Sequence, residues 1–163
     1  MATKLHSRHR LLALIAGIGK KGSDVCLSMN ERTGWRDQEL SERHRRYGFD
    51  CPAVDLDFVL LEYDTGKASA VVEFKHECAA PQYPNQPSFR ALTDLGNRAG
   101  LPVLACRYAS DFSWWKVVPL NETAKRFVPD RITMTEREWV SLLYRLRGRD
   151  APEAVLNNID VEL

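Results

Sequence analysis

Apolar residues at Trp139, Leu142, Leu143 and Leu146 recur at the spacing of a helix that buries one face, which predicts a helix over 135–146. Thr135 and Glu138 form a capping box at its start. A mostly polar helix is predicted over 35–47, closed by Gly48, and another over 88–99, stopped by Gly100 and Pro102. A short helix fits 8–17, and the Gly-, Ser- and Asn-rich stretch 19–34 reads as a loop. Strands are predicted at 54–63, 68–76, 103–108 and 113–119, and Asn121 is a good N-cap for a short helix. Residues 79–87 carry three prolines and form a loop, while the last dozen residues show no strong pattern. The order helix, hairpin, helix, two strands, helix points to an α/β domain: a central mixed sheet of four to five strands flanked by helices. Both hairpin strands are apolar on both faces, as in a sheet covered on both sides.

Composition narrows the class without naming a function. The chain has 163 residues, 44% apolar and 28% charged, which suits a single globular domain over 1–163. Within it the core is expected at about 35–120, with 1–34 as an N-terminal extension and 121–163 as a C-terminal helix and tail. No apolar run approaches the roughly 20 residues that span a bilayer, so no membrane partner is expected. Cys26, Cys51, Cys78 and Cys106 form no CxxC pair, which argues against a structural zinc site and for reduced thiols in a cytoplasmic protein. Gly17, Gly19 and Gly22 beside Lys20 and Lys21 miss the phosphate-loop spacing. Net charge is only +1, but basic residues cluster at 6–10, at Arg43-His44-Arg45-Arg46 and at Arg145, Arg147 and Arg149. Such clusters are either solvated helix faces or phosphate contacts.

The hairpin carries the candidate chemistry. Its strands are joined by Tyr63-Asp64-Thr65-Gly66-Lys67, and Gly66 suits the left-handed position that closes a three-residue loop. That loop sets Asp57 opposite Glu73 and Asp55 opposite Lys75, with all four on one face. A loop of two residues would send Asp57 to the other face. Two carboxylates about 4 Å apart repel by roughly 4 kcal/mol at an effective dielectric near 20. Lys75 offsets part of that cost, and a divalent cation with its preference for oxygen ligands offsets more. The other account of this face is a salt-bridge ladder at a sheet end.

Asp57 on one strand, followed by Glu73-Phe74-Lys75 on the next, resembles the PD-(D/E)xK nuclease superfamily. The words that carry the resemblance are Cys51-Pro52-Ala53-Val54-Asp55-Leu56-Asp57-Phe58 and Val71-Val72-Glu73-Phe74-Lys75-His76. It covers residues 35–120, and similar hairpin words occur in small phage and bacterial proteins. The resemblance implies a restriction-endonuclease-like core with Asp57, Glu73 and Lys75 as catalytic residues. Asp57, Glu73, the carbonyl of Phe74 and Asp55 are the implied ligands of Mg²⁺ or Mn²⁺. The Pro-Asp dipeptide of the pattern is absent, because Pro52 lies three residues before Asp55, so either Asp55 or Asp57 is the principal ligand.

The implied activity is metal-dependent hydrolysis of phosphodiester bonds in DNA, with structure-specific cleavage in phage or mobile-element DNA processing as one form. The helix before the hairpin offers Glu39 and Glu42 as accessory acids. Arg43, His44, Arg45 and Arg46 are the expected DNA contacts, and a homodimer is a further expected partner. His76 follows the lysine, points to the other face and reads as a packed histidine. The alternative function is a catalytically weak or inactive module of the same fold that binds DNA or a protein.

Overall fold

The computed structural model describes residues 38–161, apart from Phe49, Cys51 and Pro84. The expectations for the helix at 8–17, the loop at 19–34 and the basic cluster at 6–10 lie outside the described residues.

The chain folds as a mixed α/β structure around one open five-stranded sheet. Its helices are α1 (Gln38–Arg45), α2 (Pro87–Ala99), α3 (Glu122–Lys125), α4 (Glu136–Leu146) and α5 (Glu153–Val161). Its strands are β1 (Phe58–Glu62), β2 (Lys67–His76), β3 (Val103–Tyr108), β4 (Trp115–Pro119) and β5 (Ile132–Met134), and they lie side by side in chain order. All neighbours are antiparallel except β2 and β3. A parallel pair needs a crossover, which α2 supplies.

Alternation along the strands decides what each helix covers. Val72 on β2, Leu104 and Cys106 on β3, Trp115 and Val117 on β4 and Met134 on β5 bury one face against Trp139, Leu142 and Leu146 of α4. Leu142 is fully buried, worth about 1.5–3 kcal/mol for such a side chain. Val71 and Val103, one residue out of phase, pack on the opposite face against Leu92 of α2. Helix α2 therefore covers only the Val71–Val103 end of its face. The other end, where Glu73 and Lys75 follow at period two, is left for polar chemistry.

Helix α2 starts at Pro87, whose missing N–H costs nothing in the first turn, and ends at Gly100, in the left-handed region at φ 68°. The capping box of Thr135 and Glu138 is present at α4, and Asn121 caps α3 by accepting from the Ala124 amide. The buried Asn121 also accepts from the Val103 amide and donates to the Leu101 carbonyl, tying α3 to the start of β3.

Three elements differ from expectation. The first strand starts at Phe58 and not at 54, because 52–57 has no ladder partner. As an edge strand beyond the covering helices it exposes Phe58, Val59 and Leu61, so only β2 of the hairpin is covered on both faces. The three-residue β5 and the helix α5 were not legible as periodic elements, yet β5 completes the sheet and α5 buries Leu156. Cys106 is a free, buried thiol, whereas Cys78 is disulfide-bonded, which departs from four reduced thiols. No helix among the described residues is long and apolar enough to cross a membrane.

Candidate functional site

The hairpin reaches the expected pairing by a different route. Its loop has four residues, with Glu62 paired to Lys67 and the Gly66 amide donating to the Glu62 carbonyl. A bulge then inserts Ser69, so that Leu61 pairs with Ala68 but Leu60 pairs with Ala70. The extra residue restores the register, and Val59 and Phe58 face Val71 and Val72. Continuing that pairing one step brings Asp57 to Glu73.

Asp57 lies just beyond the end of β1, where its Oδ2 accepts from the Phe74 amide at 2.9 Å. This carboxylate takes over where the backbone ladder stops. Lys75 sends its Nζ to within 2.5 Å of Glu73 Oε1 and 3.7 Å of Asp57 Oδ2. The two acids and the lysine therefore converge on one point at the end of the sheet. The Phe74 ring turns to the other face, edge-on to Trp139 and Phe58, and anchors the strand between the two site residues.

Glu73 is only 6% exposed. Burial pushes its carboxyl above the ordinary range, the Lys75 ammonium pulls it partly back, and the neighbouring Asp57 raises it again. Its second oxygen, Oε2, is buried with no hydrogen-bond partner among the described residues. A carboxylate oxygen buried without a donor is costly unless something positive completes it. Asp57 and Glu73 fit a hard divalent cation of the Mg²⁺ type, which is commonly held by one or two carboxylates, water and substrate phosphate. Among the described residues no group of three or more His, Cys, Asp or Glu side chains converges.

The remaining sequence candidates lie elsewhere. Asp55 is exposed in the stretch before β1, and Lys75 meets Asp57 and Glu73. Glu39, Glu42, Arg43, His44 and Arg45 sit on α1 and Arg46 just after it. Among the described residues no third acid converges with Asp57 and Glu73, so neither Glu39 nor Glu42 completes a three-acid group with them. Asp94 and Arg98 pair with each other on the exposed side of α2.

His76 forms a small network of its own. Its Nδ1 accepts from the Cys78 amide at 3.2 Å, and its Nε2 lies 3.0 Å from Ser110 Oγ, which in turn donates to Glu77. With Nδ1 occupied as an acceptor, a neutral ring carries its proton on Nε2 and donates to the serine. That polarity is the reverse of nucleophile activation, so the network fastens the segment after β2 to the segment after β3.

Sequence reasoning missed a row of cations beside the acid pair. The cross-strand register sets Lys75 beside Arg107 and Arg107 beside Lys116. These residues share a face with Glu73 by strand alternation. The signal was present in the chain, because Val103, Ala105 and Arg107 alternate toward that face, as do Lys116, Val118 and Leu120. It was unreadable without knowing which strands are neighbours.

Compared with family models, with curated proteins and with solved structures, the chain gives no match.

Proposed function

We propose that the protein is a metal-dependent nuclease that hydrolyses phosphodiester bonds in DNA, built on a restriction-endonuclease-like core. The observation that carries this reading is the convergence of Asp57, Glu73 and Lys75, with a buried Glu73 oxygen lacking any donor among the described residues. The hairpin, the crossover helix and two further strands follow the order that the resemblance implies. Asp57 and Glu73 are the proposed ligands of Mg²⁺ or Mn²⁺, with the Phe74 carbonyl as a further donor. A divalent ion held there would supply an activated water and neutralise charge on the phosphoryl oxygens. Lys75, balanced between the two acids, would position the attacking water and donate to the phosphoryl group. Asp57, fixed by the Phe74 amide, keeps the acids together across the end of the ladder.

A second reading is a DNA-binding module with little turnover. It is favoured by one observation: Lys75 already contacts both acids, and no third acid joins them among the described residues.

Cleavage of plasmid and branched DNA with Mg²⁺ or Mn²⁺ separates the two. The nuclease reading predicts cleavage by the wild type and a loss of at least about 10²-fold in Glu73→Gln and Lys75→Ala, the usual scale for losing one preorganised electrostatic contact to the reacting group. Circular dichroism checks that both variants fold. Equal cleavage by all three proteins removes the assignment, and DNA binding without cleavage in any metal favours the module.

A further inference from the structure

A cavity of about 270 Å³ opens beside the acid pair, and its wall includes Lys75, Gln82, Arg107, Lys116 and Arg131. Among the described residues no acidic side chain lines it. Its position follows from the fold. Helix α2 covers the other end of this sheet face, and the segment after β2 folds over to form one side. Arg107 holds that segment by donating to the Glu77 and Ala80 carbonyls at 3.1 and 3.0 Å. The cavity thus lies at the carboxyl ends of the parallel strands β2 and β3, where open α/β sheets bind ligands.

Charge is the informative feature. Like charges side by side on neighbouring strands destabilise a sheet, yet Lys75, Arg107 and Lys116 stand in one row across three strands. Lys75 has its counter-charge in Glu73 and Asp57. Arg107 is bonded to neutral carbonyls, and Lys116 lies over the Trp114 ring at 5.5 Å. Neither Lys116 nor Arg131 has an ion pair among the described residues. The Gln82 side-chain oxygen is buried without a partner, and a half-turn of that amide offers the cavity N–H donors instead.

We infer that this cavity is a phosphate pocket, which holds a backbone phosphate of the nucleic-acid strand beside the acid pair. Lys116 and Arg131 supply the net charge at its mouth, and Lys75 is shared between pocket and acids. The inference rests on the nuclease reading for its strand, but the pocket is defined by its own donors. It adds DNA contacts on the sheet itself to those expected at Arg43, His44, Arg45 and Arg46.

The test is binding of short fluorescent single-stranded and duplex DNA in EDTA, so that cleavage plays no part. Wild type is compared with Lys116→Gln, Arg131→Gln and the double variant over a salt series. Circular dichroism checks that the variants, both at exposed positions, fold like the wild type. The pocket predicts roughly tenfold weaker binding in the double variant, on both DNA forms. The slope of log affinity against log salt falls by about one for each cation removed. Inorganic phosphate and a deoxynucleoside monophosphate are then tested as competitors. Competition at millimolar concentration assigns the pocket to a free or terminal phosphate, and competition by unlabelled strand alone assigns it to the backbone. Unchanged affinity and salt slope in the folded double variant overturn the inference. The failures are distinguishable, because loss of binding in the double variant without any cleavage by the wild type keeps the pocket and removes the nuclease.

Discussion

Glu73 and Glu138 show two opposite fates of a carboxyl group in this chain. Burial raises the Glu73 pKa, with the neighbouring Asp57 adding to the rise and Lys75 restraining it. The exposed Glu138 is held below the ordinary range by bonds from the Thr135 amide and hydroxyl. A depressed folded value means stability present in full above the unfolded glutamate pKa of about 4.3 and lost as pH falls through the lower folded value. Thermal melts of wild type and Glu138→Gln from pH 7 downward are therefore expected to differ most near neutrality and to converge in acid. A gap that widens in acid contradicts the capping box as the source. At this scale the sequence was informative where residues act locally: the Thr135–Glu138 box and the Asn121 cap follow from spacing alone. Asp57, Glu73 and Lys75 were legible because one hairpin carries all three. Lys116 and Arg131 were not, because their relation to Lys75 exists only after β3, β4 and the segment before β5 have assembled.

Among the elements, α2 sits close on the sheet at Gly96. A methyl group on Gly96 would stand 2.0 Å from Val103 Cγ2 and 3.2 Å from the Leu101 carbonyl oxygen. The glycine lets the helix lie directly on β3. Gly96→Ala is expected to push α2 off the sheet at a cost of about 1–3 kcal/mol, the usual range for overpacking. Urea denaturation measures it, and an unchanged midpoint contradicts the close approach. The hairpin teaches a different lesson about elements. The expected three-residue loop and the observed four-residue loop differ by one in register, and the bulge at Ser69 cancels the difference. Glycine and aspartate mark a turn in sequence, whereas a bulge at serine leaves no compositional trace. The strand β5 is too short to show a period, and α5 takes its place from the packing of Leu156 more than from its pattern.

At the scale of the whole molecule, one sheet divides the labour between its faces. The face toward α4 is a continuous apolar core in which Trp115 stacks on Trp139 and Phe74 meets both rings edge-on. The opposite face is closed at one end by α2 and carries the acid pair and the cation row at the other. The mixed sheet of four to five strands flanked by helices was readable from the order of elements, but the place of its fifth strand was not. β5 and α4, placed outside the expected core at 35–120, supply an edge strand and the helix that covers the apolar face. The central claim is that this molecule gathers two carboxylates able to share a divalent cation. Calorimetric titration with Mn²⁺, without DNA, tests it most directly. The account predicts one binding event in the wild type, weakened at least about tenfold, or 1.4 kcal/mol, in Asp57→Asn and Glu73→Gln and unchanged in Lys116→Gln. Indistinguishable isotherms for wild type and the two acid variants would contradict it.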